Sequence, residues 1–424
     1  MKAAFYEADI TPPLGCYLSG YFSRRFAKDV YEKLYAKAVV VENNGETIAL
    51  LSFDSCFMPN EAHDIITKRI YEYTGISPER VCINSNHTHC GVPISDSPEI
   101  NAFGDSAYKD VFYRLVADTV ILAQKRLEEV QITFGTNEVY GIAFNRNYVK
   151  DDGTMMTDSD GTAKPLAGTD PTLSVVSFER DGKKIGAIIN YACHQDCTGG
   201  LHGYSGDYSS ILSKELKKAY GEEFVSLFAI GACGDINHIE PNKKMPMHWH
   251  REMGKIIAPK VVDAIEHSMS IDGSVSVIKE KIKLPRRKQD IETTTKQLEN
   301  LYKNKKPGYL FMARNLEYYM TVNEEEYTEA YIQVFKIGRL CIYAMPGEIY
   351  VNIGLALKKL SPFEHNIVIE NCNSSLGYIP TENCFSAKSE LYETSLCFNS
   401  CCVPWSDKIL TDKALEISGK LTKE

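Results

Sequence analysis

No apolar run in the chain is long enough to span a bilayer, and Met1 to Asp9 do not build the apolar segment of a secretory leader. There is no excess of positive charge. The 47 Lys and Arg stand against 56 Asp and Glu, a net charge of −9, so attraction to nucleic acid or to anionic lipid is not expected. Neither a CxxC nor an HExxH motif occurs, which removes thioredoxin-like redox chemistry, zinc ribbons and the common metalloprotease helix. Internal repeats, low-complexity tracts and obvious linkers are also missing. What remains is a chain of 424 residues, 44% hydrophobic and 24% charged, sized for one large α/β domain. Its 13 cysteines are an odd count without a secretory leader, so free thiols in a reducing cytoplasm are expected.

The recurring pattern is a buried strand, a helix, and a second buried strand. Thr47–Phe53 reads as a strand ending at Asp54, Glu61–Tyr73 as a helix stopped by Gly75, and Arg80–Asn84 as a strand that delivers Asn86-His87-Thr88-His89. The pattern returns as Lys184–Tyr191, Ser210–Tyr220 and Phe224–Ile230. It returns again as Arg339–Met345, a helix from Glu348 to about Leu360, and Asn366–Glu370. The expected fold is therefore α/β, a large mixed β-sheet flanked by helices, forming a single domain over 1–424. A charged segment at about 274–326, helical from Ile291 to Tyr302, reads as an insertion or cap.

Open α/β sheets bind ligands beyond the carboxyl ends of their strands. His87, His194, Asp235, Glu348 and Tyr378 all follow predicted strands, which suggests one shared crevice. Three or four N, O or S donors with one open position suit a catalytic metal that activates water and polarises a carbonyl. His87 and His89 are two apart and face one side of an extended segment, so one can ligate while the other meets substrate. Each residue also has an ordinary reading. The His-x-His pair suits a polar loop, His194 a core histidine, Glu348 a helix N-terminus and Tyr378 plain packing. Cys193, Cys197, Cys397, Cys401 and Cys402 read as structural thiols. Asp207 and Asp235 read as turn acids, histidine partners or a general base.

Ordered motifs along almost the whole chain resemble those of the neutral/alkaline (non-lysosomal) ceramidases, zinc amidases acting on the N-acyl bond of ceramide. They are Ala8-Asp9-Ile10-Thr11-Pro12, Leu34-Tyr35-Ala36-Lys37-Ala38, His87-Thr88-His89-Cys90-Gly91, Phe144-Asn145-Arg146-Asn147, Tyr191-Ala192-Cys193-His194, Ser205-Gly206-Asp207, Pro346-Gly347-Glu348, and Gly377-Tyr378 with Tyr392-Glu393. The resemblance implies a Zn2+ site of His87, His194, Glu348 and Tyr378. It implies that His89, Arg146 and Tyr392 contact substrate or transition state. Asp235 joins the catalytic candidates as the acid of Gly234-Asp235. Two departures are plain: Asn237 stands where the family has a serine, and Cys90 where it has another. A serine nucleophile at 237 is closed, whereas a metal-activated water is not.

The chain is expected to be the catalytic domain without the family's C-terminal β-sandwich. Its substrate is expected to be a lipid or small-molecule amide. Two alternatives stand beside it: a metal-dependent hydrolase of a small soluble amide, ester or phosphoester, and a non-catalytic protein that keeps the metal as structure.

Overall fold

The computed structural model describes all residues except 22, 97–101, 160, 242, 289, 306–308, 323–325, 398 and 424. Its framework is one strand arrangement built three times. In the first unit β1 (Lys2–Asp9) pairs antiparallel with β2 (Tyr35–Asn43), which turns through Asn44-Gly45 into antiparallel β3 (Glu46–Phe53). Helix α1 (Asn60–Thr74) then carries the chain to β4 (Val81–Ser85), parallel to β3. The second unit repeats this with β5 (Gln131–Glu138), β6 (Thr172–Arg180), β7 (Lys183–Tyr191), α3 (Asp207–Tyr220) and β8 (Val225–Ile230). The third uses β9 (Val275–Pro285), β10 (Tyr327–Ile337), β11 (Leu340–Ala344), α7 (Val351–Leu360) and β12 (His365–Ile369).

The α/β class expected from the sequence is present, but the sheet is divided. Three main sheets, of five, five and four strands, replace one large sheet. The division follows from burial. Strands β4 and β8, and all of β11, are buried at every position, and their apolar faces meet in a core shared by all three sheets. That core includes Val39 and Leu50 of the first unit, Phe178 and Leu227 of the second, and Phe335 and Ile342 of the third. Side chains also tie the units together. Ser52 donates to Phe228 O at 2.7 Å, Asn84 to Glu370 O at 2.7 Å, and Asn190 to Val368 O at 3.0 Å. These contacts bring the carboxyl ends of the central strands to one place.

Within the segment expected to be an insertion or cap, residues 275–285 form β9, which pairs with β10 along its whole length. Lysines 279, 281 and 283 alternate with other side chains there, as suits a half-exposed edge strand, and that alternation hides the strand from a search for apolar runs. The helical part is a pair, α5 (Ile291–Asn304) and α6 (Tyr309–Val322), set between β9 and β10. Helices α2 (Ser106–Gln124), α4 (Trp249–Glu266) and α8 (Ser406–Leu421) complete the layers outside the sheets. No helix among the described residues is long and apolar enough to cross a membrane.

One contact between units carries a pH prediction. His63 of α1 bonds Asp64 through Nδ1 at 2.8 Å, and its Nε2 lies 2.6 Å from Lys279 Nζ of β9. Burial, and then the Lys279 ammonium, push His63 down to about 4. The folded protein therefore holds a neutral His63, whereas the unfolded chain protonates it near 6.5. Stability from this site is complete above pH 6.5 and is lost as pH falls through 4. His63→Gln is expected to flatten the fall of Tm over that window. Parallel Tm profiles for the two proteins would refute the assignment.

Candidate metal centre

Three strand exits converge. β4 ends in Asn86-His87, β7 in Ala192-Cys193-His194, and β11 in Met345-Pro346-Gly347-Glu348. Glu348 Oε2 lies 3.2 Å from His87 Nε2 and 3.2 Å from His194 Nε2, and all three side chains are 1% exposed. Their donor atoms lie within 4.8 Å of one another. Each imidazole is oriented from behind. His87 Nδ1 bonds Cys56 O at 2.8 Å, and His194 Nδ1 bonds Cys233 O at 2.7 Å. A carbonyl can only accept, so each Nδ1 carries the proton and each Nε2 turns a lone pair inward.

His194 Nε2 and both Glu348 oxygens have no hydrogen-bond partner among the described residues, although all are buried. Buried donors and acceptors are rarely left so. Two lone pairs and a carboxylate aimed at one point make a set that a divalent cation completes. Burial opposes charge on Glu348, but His87 and His194 outweigh it and hold the carboxyl well below the usual carboxylate range. Against its own burial, His87 is in turn held well above its ordinary value by Cys56 and Glu348, so a cation there would displace a proton from His87. Burial, then Arg146 and His87, hold His194 down to about 4, the neutral form a metal requires.

The backbone is bent to make this possible. His87 sits at φ 70, in the left-handed region, where a non-glycine residue costs about 1–3 kcal/mol. Its N–H bonds Ser55 O at 2.9 Å, which fixes the turn. Glu348 and Tyr378 are direct partners in a short parallel pair. That pairing needs glycine on both sides. Gly347 has φ 73, and a Cβ there would stand 2.6 Å from Gly377 O. Gly377 has φ 67, and a Cβ there would stand 2.2 Å from Asn399 O.

Tyr378 thus arrives beside Glu348, with Tyr392 edge-on to its ring at 5.4 Å and the Arg146 guanidinium 5.4 Å from its ring centre. Burial, then Glu348, push the Tyr378 phenol far above its ordinary range, so a phenolate there needs a neighbouring cation. Arg146 is itself anchored: Nε donates to Glu393 Oε1 at 2.7 Å and Nη2 to Gly234 O at 2.8 Å.

His89 lies on the other side, its Nε2 3.5 Å from His87 Nε2. Arg146, Asp196 and Tyr392 are half-buried, whereas His87, His194 and Glu348 are sealed, so the open side of the site is the rim of these three residues. Asp235 is placed differently. Its Oδ1 accepts from Val351 N, the first residue of α7, and its Oδ2 from Asn145 Nδ2, both at 2.8 Å. Burial pushes it up to about 6. Both oxygens serve the fold, and its carbonyl takes the Arg146 N–H.

Asn237 pairs with Phe144 and turns its Oδ1 to Ile239 N. Cys90 contacts Thr198 and Arg25, and Asp207 accepts from Cys197 N and Thr198 N, which holds the turn after His194. Glu393, Asp196 and Tyr21 belong to the site's surroundings without having been singled out. Two of them stood next to candidates in sequence, one after Tyr392 and two after His194. A cavity of about 500 Å³ lined by Lys37, Asp54, Asn86 and Ser226 lies near the site, but none of the four candidate ligands lines it.

Comparison with known proteins adds to this geometry. The chain superposes over its full length on 74% of the neutral ceramidase from Pseudomonas aeruginosa, with a TM-score of 0.77 and 18% identity. It superposes equally on 75% of a chain described as ceramidase complexed with C2, again with a TM-score of 0.77 and 18% identity. At that identity the likeness concerns the fold. No curated protein matches the chain. The sequence profile described as neutral/alkaline non-lysosomal ceramidase, N-terminal, matches residues 5–247, more than half of the chain and including His87 and His194. The chain therefore belongs to the neutral/alkaline non-lysosomal ceramidase family and has that family's hydrolase fold.

Proposed function

We propose that this hydrolase is a zinc-dependent amidase that cleaves the N-acyl bond of a lipid amide of the ceramide type. The observation that carries the reading is the convergence of His87 Nε2 and His194 Nε2 on one Glu348 oxygen, inside a member of the ceramidase family. His87, His194, Glu348 and Tyr378 would hold the ion. A two-histidine, oxygen-rich set suits zinc, which would supply Lewis acidity and an activated water.

The chain's own residues do the rest. Arg146 and Tyr392, both beside Tyr378, would donate to the oxygen of the amide carbonyl as it gains charge. His89, facing the ligands through Nε2, would take a proton from the attacking water and pass it to the departing amine. Asp235 shapes the start of α7 and the Arg146 turn and takes no proton in this scheme. Next to Tyr392 lies a small apolar cluster of Tyr17, Ala102 and Met312, which supports an acyl chain on that side. The whole of 1–424 acts as one catalytic unit, with α5 and α6 as its cap. Thirteen unpaired cysteines, all but Cys16 buried, support a reducing compartment such as the cytoplasm.

The test is a panel of zinc-loaded assays on N-acylsphingosines of short and long acyl chain, N-acyl amino acids and N-acetyl sugars. Release of free sphingosine, faster with longer acyl chains, is expected. Turnover confined to the small soluble amides would overturn the lipid assignment.

A further inference from the structure

His89 is enclosed on three sides. Arg25 donates to its carbonyl, and the same guanidinium also reaches Ser19 O at 3.1 Å and Leu201 O at 2.8 Å. The Tyr21 ring stands edge-on to the imidazole, 5.4 Å between centres and 89° between planes. Gly20 lies so close that a Cβ would stand 2.6 Å from the ring. These contacts fix the plane of the ring. They leave Nε2 toward His87 and Nδ1 in the opposite direction.

Nδ1 of His89 is buried and has no hydrogen-bond partner among the described residues. The carboxylate that faces it is Asp196, with Oδ1 at 3.9 Å. That same Oδ1 accepts the Tyr21 hydroxyl hydrogen bond, so Tyr21 touches both members of the pair. The Asp196 side chain is 27% exposed, at the rim.

We propose that Asp196, held by Tyr21, is the positioning residue for His89: it keeps the imidazole as the Nδ1–H tautomer, with the Nε2 lone pair toward the reacting atoms. A neutral imidazole has one N–H, and a carboxylate on the Nδ1 side keeps it there. Hydrogen bonds of this kind are often long before substrate arrives and tighten with it. The closure required is about one ångström, given contacts of about 2.9 Å. Asp196 touches no reacting atom, and its effect passes through His89. The inference rests on the reading of His89 as the proton carrier in the amidase scheme.

Asp196→Asn in the zinc-loaded full chain tests it. Expected are a fall in kcat of about 100-fold, the lower range for a displaced acid–base group, with KM nearly unchanged and metal content intact. Asp196→Glu should recover part of the loss, and Tyr21→Phe, which frees the carboxylate, should lower kcat by about tenfold. A second readout does not need turnover. Ring ¹⁵N spectra should show His89 protonated at Nδ1 in the unaltered protein and a tautomer mixture in Asp196→Asn. Unchanged kcat in Asp196→Asn, a loss confined to KM, or identical ring spectra would overturn the proposal. If the unaltered protein hydrolysed no amide at all, the functional reading would fall, while the ring spectra would still decide the His89–Asp196 pairing.

Discussion

Replacing His87 or His194 by alanine is expected to abolish stoichiometric zinc and, with it, all amide hydrolysis above background. Each substitution removes one of the two nitrogens that meet at Glu348 Oε2. It also leaves the Glu348 carboxylate buried beside a single imidazole, and the two histidines are what hold that carboxyl low, so losing one weakens the third ligand too. Metal analysis of purified variants, followed by zinc titration, checks the point. Full zinc occupancy in both variants would remove these histidines from the ligand set. His250 is a fair control. It is fully buried but contacts Glu32, and its replacement should leave the metal content as it was.

The second large effect is expected at Arg146. Its ion pair with Glu393 is buried, the acid side chain being 0% exposed. Arg146→Ala strands that carboxylate among Asn147 and Thr157, which can satisfy only part of it. Breaking a buried pair from one side costs about 3–5 kcal/mol. A fall of that size in urea-unfolding free energy is expected. The double variant Arg146→Ala/Glu393→Gln should regain much of the stability because the stranded charge is gone. Activity should not return with it, because the donor near Tyr378 is still missing. Equal stability of the single and double variants would show that the pair does not work in this way.

The central strands are more legible in the sequence than the way they pair. β3, β4, β7, β8 and β11 are mostly apolar, and each lies within a residue or so of its expected bounds. Strand-end position brings His87, His194, Asp235, Glu348 and Tyr378 forward together, and only the family resemblance divides a ligand set from them. Asp235 also follows a strand, yet the fold spends both its oxygens on Val351 and Asn145. Strand-end position alone cannot separate the two uses of an acid.

The strand–helix–strand pair is legible three times in the chain, but the two antiparallel strands that precede each pair, and the division into three sheets, are not, because pairing order leaves no shared motif in sequence. Likewise β9 carries lysine at 279, 281 and 283 and resembles a solvent-facing segment until β10 is seen beside it. Asp196 escaped because its importance lies in what stands across from it, Tyr21 and His89, far away in the chain.

The three repeated units bear on how the protein comes apart. His87 belongs to the first, His194 to the second, and Glu348 and Tyr378 to the third. An ion held among them is a cross-link that closes two long loops at once, and no unit can leave without giving up a ligand. Such a closure acts chiefly on escape from the native state, because the units must already be docked before the ion finds its donors. Resistance to proteolysis thereby becomes a gauge of metal occupancy, and starvation for the ion would shorten the life of the chain as well as silence it.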